Sequence, residues 1–462
     1  HYSSTQYAEM NAVFECFLDS ISSCSGFDRE AMVVAQQAPI PVSVRMNPLR
    51  NKESNTVFGD LLSNQVPWCS AGSYLVKRPQ FTLDPHLHAG TYYVQEASSM
   101  FISQAVEQVL GDRKGLRGLD LCAAPGGKST LLASLPHFKM VVANELIASR
   151  VSVLQENITK WGPTHVVVTH NDAADFSRLG PFFDFVLVDA PCSGSGLFRK
   201  DPSALNEWST EAVSFCAQRQ RRILSDTASL LDEDGILVYS TCSFSKAENE
   251  DNLDFIVSLG FESVRLALDP TWQVVESFSD KHLASGYRFY PDKISGEGFF
   301  CAVFRKIKSE VFSDKFAAVR LPKALNLSDF APWVNQRHEL FLFEKEGDLF
   351  AIDDVNAADL FCLRSFMRVK KSGVRMGRLI RGELIPDHEL AVSVLVSDNL
   401  PVLDLDKGNA LRYLRRDELQ CPVTGKGWLL VSYEDVHLGW IKISQGRVKN
   451  NYPMNWRILM KP

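Results

Sequence analysis

An α/β protein built on a largely parallel sheet is what this sequence predicts, and three observations carry that expectation. From Leu116 onward, apolar strand-like runs alternate with helical stretches, the pattern of βαβ units. One run, Phe185-Val-Leu-Val188, is apolar at successive positions, as in a strand covered on both faces. From about residue 327, short strand-like pieces separated by turns replace the alternation and predict a second, β-rich module.

A chain of 462 residues has room for about two to four domains, and its 45% hydrophobic content is that of a packed protein. Lys and Arg number 49 against 55 Asp and Glu, a net charge of −6, so no global positive field recruits nucleic acid and any polyanion site must be a local patch. The ten cysteines are scattered, without a CxxC pair or zinc-spaced histidines, which predicts reduced thiols, no metal site and a cytoplasmic protein. No apolar run approaches the roughly 18–20 residues needed to span a bilayer, and His1-Tyr-Ser-Ser lacks the features of a signal peptide, so no membrane partner is expected. A chain beginning at His rather than Met is expected to be trimmed or to carry a tag remnant.

Apolar steps of three and four residues at Met10, Val13, Phe14, Phe17 and Ile21 predict an amphipathic helix over about 6–24, with a short second helix near Asp28 to Gln36. Val42 to Pro48 reads as a strand and turn, and Trp68, Tyr74, Lys77, Arg78 and Phe81 are scattered aromatic and basic groups of the kind found in cores and on surfaces. A polar turn over Tyr92 to Met100 opens a helix that runs to about Leu110 and breaks at Gly111. The strands of the sheet are expected at Leu116–Cys122, Met140–Asn144, His165–Thr169, Phe183–Val188 and Gly235–Thr241, with a long helix from Thr210 to Leu231. Ser245-Lys-Ala-Glu248 reads as a capping box opening another helix, and Gly260 is placed to end it. Tyr287–Tyr290 and Gly298–Arg305 close the sheet near Lys308. Further strands are expected at Glu339–Phe343, Asp348–Ile352, Ala391–Leu395 and Trp428–Ser432. Arg364, Arg368, Lys370, Lys371, Arg375, Arg378 and Arg381 crowd together with no acidic residue among them, either a solvated basic face or a phosphate-binding patch.

Chemistry concentrates at the carboxyl ends of the predicted strands, where open α/β sheets bind ligands. Leu119-Asp-Leu-Cys-Ala-Ala-Pro-Gly-Gly-Lys-Ser-Thr130 follows the first strand and opens a helix. A Walker loop needs glycine where Cys122 stands, and GxGxxG is absent, which disfavours a P-loop ATPase and a nicotinamide enzyme. A glycine turn for a smaller adenosine ligand remains, with Glu145 after the second strand placed for ribose hydroxyls and Asp172 after the third for an adenine amino group. Asp189-Ala-Pro-Cys192 leaves the fourth strand and Thr241-Cys242 the fifth, so two thiols and an acid emerge side by side if those strands are neighbours. Either cysteine alone reads as a buried structural thiol; together, at adjacent strand ends, they read as chemistry.

Cys122-Ala-Ala-Pro-Gly-Gly-Lys128, Asp189-Ala-Pro-Cys-Ser-Gly-Ser-Gly196 and Thr241-Cys242, in this order and spacing, resemble the Sun-type RNA cytosine carbon-5 methyltransferases. Arg45-Met-Asn-Pro48 and Gln95-Glu-Ala-Ser-Ser99 are similar to motifs preceding that family's core, and the likeness spans about residues 40–307. The tail, with Gly439-Trp440 and Asn451-Tyr-Pro453, resembles the PUA-like extension of the bacterial RsmF-type enzymes that modify 16S ribosomal RNA. The resemblance implies a Rossmann-like core over 91–308, an N-terminal α+β RNA-binding subdomain over 1–90, a linker over 309–326, an intermediate region with the basic patch over 327–385 and a PUA-like domain over 386–462. It implies S-adenosylmethionine held by Cys122, Ala123, Ala124, Pro125, Gly126, Gly127, Lys128, Glu145, Asp172 and Asp189. It also implies that Cys242 adds to carbon 6 of cytosine, that Asp189 hydrogen-bonds the base, and that Cys192 assists loss of the carbon-5 proton and product release. Lys128 is either structural or close enough to influence a thiolate. Ribosomal RNA or the small subunit is the expected partner of a monomer; the same chemistry on transfer RNA, or a non-catalytic RNA-binding assembly factor, are the alternatives.

Overall fold

The N-terminal part begins with helices at Ser4–Ser20 and Arg29–Gln37 in the computed structural model, which describes residues 4–307 and 319–461. The predicted end of the sheet domain at Lys308, the start of the linker and the Met10 side chain lie outside the described residues and side chains. Asp28 caps the second helix by accepting from the Ala31 amide at 3.0 Å. Phe17, Leu18 and Ile21 are buried against Phe198, Trp208, Phe244 and Tyr290, so the helical hairpin rests on the loops that follow the central strands. Four strands, β1 (Val42–Met46), β2 (Leu62–Gln65), β3 (Gly72–Leu75) and β4 (Tyr92–Val94), then form an antiparallel sheet in the order β2-β3-β1-β4.

The alternation after Leu116 becomes a ten-stranded sheet. Its parallel centre comprises β5 (Leu116–Asp120), β6 (Phe138–Asn144), β7 (Val166–Thr169), β8 (Phe183–Asp189) and β9 (Leu231–Thr241). Strands β10 (Phe261–Val264), β11 (Val275–Phe278), β12 (Ser285–Phe289) and β13 (Phe299–Lys306) continue it in antiparallel fashion, giving the path β11-β12-β13-β9-β8-β5-β6-β7 with β10 also on β13. Phe185, Leu187, Ile236 and Val238 pack into one apolar layer while Val186, Val188, Leu237 and Tyr239 pack into the other, which is why the β8 run is apolar at every position. The strand order reverses direction between β5 and β8, the switch point where doubly wound sheets open a crevice.

Two local readings are corrected here. The long helix ends at Thr227 and β9 begins at Leu231, four residues before the predicted Gly235, because Leu231 pairs in register with Phe183. The capping box at Ser245 and Glu248 does not form: the helix starts at Glu250 with Asn249 as its cap, and Glu248 turns inward instead. Gly260, at φ +88°, does end that helix, which stops at Ser258.

The C-terminal half has β14 (Leu340–Lys345), β15 (Asp348–Asp353), β16 (Val369–Ser372), β17 (Val374–Ile380) and β18 (Glu383–Pro386), then β19 (Val402–Asp404), β20 (Gly427–Tyr433), β21 (Val436–Ser444) and β22 (Arg447–Asn450). Two four-stranded sheets result, β14-β15-β17-β18 and β19-β20-β21-β22. Strand β16 leaves this half and pairs antiparallel with β7, so the intermediate region supplies the last strand of the ten-stranded sheet. The expected strand at Ala391–Leu395 is instead the helix His388–Ala391 and a turn, since Asp387 accepts from the Glu389 amide and starts a helix despite the β-branched residues that follow.

The basic cluster is corrected as well. Lys371 is buried and pairs with Glu389 at 2.5 Å; Arg375 pairs with Asp348 and Asp387, Arg378 with Asp348, and Arg364 lies over the Phe343 and Phe361 rings. The neutralising acids lie outside the cluster in the chain, and Arg368, Lys370, Arg378 and Arg381 are its exposed residues, Arg378 being the one paired with Asp348. One guanidinium joins the three parts of the chain: Arg50 donates to the carbonyls of Lys160 at 2.6 Å and Val392 at 2.5 Å. Among the described residues, no helix is long and apolar enough to cross a membrane, and no cluster of three or more potential metal ligands occurs.

Candidate active site

The glycine turn sits where β5 delivers it. Gly126, at φ +116°, turns the chain into the helix Gly127–Ala133, and a Cβ at Gly127 would meet the Tyr93 ring at 3.2 Å, so the N-terminal sheet closes directly onto the turn. Arg45 of β1 fixes that contact: its buried guanidinium donates to Gln95 Oε1 at 2.7 Å, Thr130 Oγ1 at 2.6 Å and the Gly127 carbonyl at 3.0 Å. Arg150 donates to the Ala124 carbonyl at 2.6 Å from the other side.

Two cavities flank the turn and share Cys122. The first is lined by Glu145, Asp172, Arg219, Arg222 and the apolar Leu121, Leu146 and Ile147. The second is lined by Ala123, Ala124, Pro125, Gly127, Lys128, Asp120 and Asp189, with Tyr93 to Glu96 as its wall. All the predicted cofactor residues except Gly126, whose place is the turn itself, therefore line one cavity or the other. Glu145 is buried and accepts from the Ile147 amide at 2.9 Å and the Ala124 amide at 3.3 Å. Asp172 caps a short 3-10 helix and lies 3.4 Å from Arg222.

Asp120, unremarked within its motif, is the most perturbed carboxyl here. Burial raises its pKa to about 7, partly offset by the Ser129 hydroxyl, which donates to Oδ2 at 2.6 Å. Its Oδ1 is buried without a hydrogen-bond partner among the described residues. A buried oxygen in that state is suited to a cationic or hydrogen-bonding ligand entering the second cavity.

The acid and the thiols meet above β8 and β9. Asp189 and Ser240 are register partners, and the Ser240 hydroxyl donates to Asp189 Oδ1 at 2.8 Å while Lys128 Nζ lies 2.7 Å from Oδ2. In both contacts Asp189 is the acceptor. Burial works against the Lys128 ammonium, but Asp189 outweighs it and the pKa rises, so the lysine stays charged. Cys192 and Cys242 stand 3.0 Å apart, sulphur to sulphur, as free thiols. The hydrogen bond with Cys242 and burial hold the Cys192 thiol well above its ordinary range. The loops interlock: the Gly196 amide donates to the Cys242 carbonyl at 2.7 Å, and a Cβ at Gly196 would lie 2.5 Å from that oxygen and 2.9 Å from Gly298 Cα.

Comparison with known proteins places this geometry. Residues 107–305 match the family described as 16S rRNA methyltransferase RsmB/F, residues 15–97 the N-terminal domain of 16S rRNA methyltransferase RsmF, and residues 400–458 the methyltransferase RsmF PUA domain. The ribosomal RNA small subunit methyltransferase F of Serratia proteamaculans is 31% identical over 91% of both chains, and that of Aeromonas salmonicida 32% identical over 92% of both. A methyltransferase homologue from Pyrococcus horikoshii superposes with a TM-score of 0.55 at 27% identity, covering 66% of this chain and 100% of that one. With a Rossmann-like methyltransferase core between RsmF-type N-terminal and PUA domains, the chain belongs to the ribosomal RNA small subunit methyltransferase F family.

Proposed function

We propose that the protein transfers a methyl group from S-adenosylmethionine to carbon 5 of a cytosine in 16S ribosomal RNA, through a covalent bond between Cys242 and carbon 6. The observation that carries this reading is the pair of sulphurs 3.0 Å apart beside the Lys128–Asp189 ion pair, at the carboxyl ends of adjacent parallel strands. The lining of the two cavities supports a bound cofactor, with Glu145 for its ribose hydroxyls, Asp172 for the adenine edge, and the Asp120 oxygen, partnerless among the described residues, for a positive group beyond Cys122. The cofactor supplies an electrophilic methyl group; everything else is the work of the chain.

Carbon 5 of cytosine is a weak nucleophile until a thiolate adds at carbon 6. Cys242 forms that bond, carbon 5 then takes the methyl group, and loss of the carbon-5 proton allows the bond from sulphur to carbon 6 to break. Asp189, an acceptor on both oxygens, receives the exocyclic amino group, and the charged Lys128 is the neighbouring donor. Cys192 holds its proton while it faces a Cys242 thiolate. Once Cys242 is bonded to carbon it is neutral, which relieves the largest influence raising the Cys192 pKa; Cys192 gives its proton to water, its thiolate takes the carbon-5 proton, and Cys242 leaves carbon 6 as the thiolate. The base reaches the site only unpaired or extruded.

The test is transfer of labelled methyl groups to 16S ribosomal RNA, small subunits and transfer RNA, followed by identification of the modified base. Label in 5-methylcytosine of ribosomal RNA is expected. Label only in transfer RNA would favour the alternative substrate, and no label in any RNA would favour a binding factor.

A further inference from the structure

We propose that Glu248 is a positioning residue, a buried carboxylate that sets the two thiols against each other by gripping the residue that follows each of them. The inference rests on the roles proposed for Cys192 and Cys242. Ser193 follows Cys192 and Ser243 follows Cys242 in the chain. Glu248 Oε2 accepts from the hydroxyls of both serines, each at 2.5 Å, and Oε1 accepts from the Ser193 amide at 2.8 Å and Gln220 Nε2 at 3.0 Å. Four donors fill the capacity of a carboxylate, which explains how a group with 0% exposure is tolerated as an anion.

The clamp stands where the sheet can no longer set the spacing. The β8–β9 register ends at Asp189 opposite Ser240, and each thiol lies two or three residues beyond that pair. From there the same cluster brackets both cysteines. Gln220 Nε2 donates to the carbonyl of Pro191, the residue before Cys192, at 3.0 Å. Thr241, the residue before Cys242, donates to Asn249 Oδ1 at 2.7 Å, and Asn249 Nδ2 donates to the Ser243 carbonyl at 2.7 Å. Glutamine at 248 would offer one acceptor oxygen where four donors converge and would turn its own N–H groups toward them. The Glu248 charge also adds to the field that keeps Cys192 protonated. Holding the sulphurs in mutual reach matters because the second thiol must act on the adduct formed by the first.

Four variants of the full-length protein test this: E248Q, S193A, S243A and Cys242→Ala, the last as a control. For each, S-adenosylmethionine affinity, KM for RNA, kcat, covalent adduct formation and adduct resolution are measured. For E248Q, cofactor affinity and KM are expected to stay at wild-type values while kcat falls by about tenfold or more. S243A is expected to slow adduct formation chiefly and S193A adduct resolution chiefly, a division that support of the fold alone would not produce. An E248Q kcat within about threefold of wild type would overturn the proposal. So would parallel losses of cofactor affinity and of both steps. If E248Q does not fold, the two serine variants decide: equal effects on both steps overturn it. Adduct formation by Cys242→Ala would overturn the assignment of the nucleophile instead, a separate failure.

Discussion

Gly196→Ala tests how tightly the two cysteine loops are packed. A methyl group there would lie 2.5 Å from the Cys242 carbonyl oxygen, 2.7 Å from the Gly298 carbonyl and 2.9 Å from Gly298 Cα, all of them backbone atoms. Restoring ordinary contact to the Cys242 carbonyl requires a displacement of about 0.9 Å. Gly298 is itself tightly enclosed: a Cβ built on it would meet the Phe244 ring at 2.4 Å and Gly196 Cα at 2.7 Å. Overpacking of this kind costs about 1–3 kcal/mol of stability. The larger effect is expected on catalysis: a shift near 1 Å of the peptide of Cys242, the proposed nucleophile, lowers kcat by about 10²-fold. Gly196 lines neither cavity, so cofactor affinity is expected to be unchanged. Methyl transfer at saturating cofactor and RNA, isothermal titration with S-adenosylmethionine and thermal unfolding together make the assay. A variant with wild-type kcat, or one that loses cofactor binding in proportion to activity, would refute the reasoning.

Asp120, with a pKa raised to about 7 chiefly by burial, is neutral below that pH and charged above it. A cationic sulfonium ligand binds the charged form more tightly, so affinity for S-adenosylmethionine is expected to rise about tenfold between pH 6 and pH 8. The rise is expected to vanish in D120N, and calorimetric titration at the two pH values reads it; an identical slope in the variant would contradict the role. In the C-terminal half, E389A leaves the Lys371 ammonium, 3% exposed, without its carboxylate. A loss of about 3–5 kcal/mol in urea denaturation is expected, with recovery in the E389A/K371M double variant; a loss below about 1 kcal/mol would show that Lys371 finds solvent.

What the sequence revealed and what it concealed divide along one physical line. Local patterns were legible: the four-residue apolar run of β8, the glycine turn after β5, and the thiols at strand ends all follow from contacts within a few residues. Their convergence also followed, because β8 and β9 are neighbours. Groups defined by partners distant in sequence were not legible. Glu248 carries a helix-capping signature, yet Ser193, fifty-five residues away, draws it inward. Lys371 and Arg375 read as surface charge because their acids lie outside the basic cluster in the chain. Nothing in the Val369–Ser372 stretch announces a strand destined for β7 on the other side of the linker. Asp120 was in view within its motif, but its protonation depends on burial that only the folded crevice creates.

The division of labour between the thiols is the centre of the account, and trapping the protein–RNA adduct on a denaturing gel tests it most directly. With full-length protein, 16S ribosomal RNA and S-adenosylmethionine, Cys192→Ala is expected to accumulate a covalent complex that cannot resolve, because the bond to Cys242 forms and the neighbouring thiol is missing. Cys242→Ala is expected to form none. An adduct in Cys242→Ala, or its absence in Cys192→Ala with the cofactor bound, would contradict the assignment.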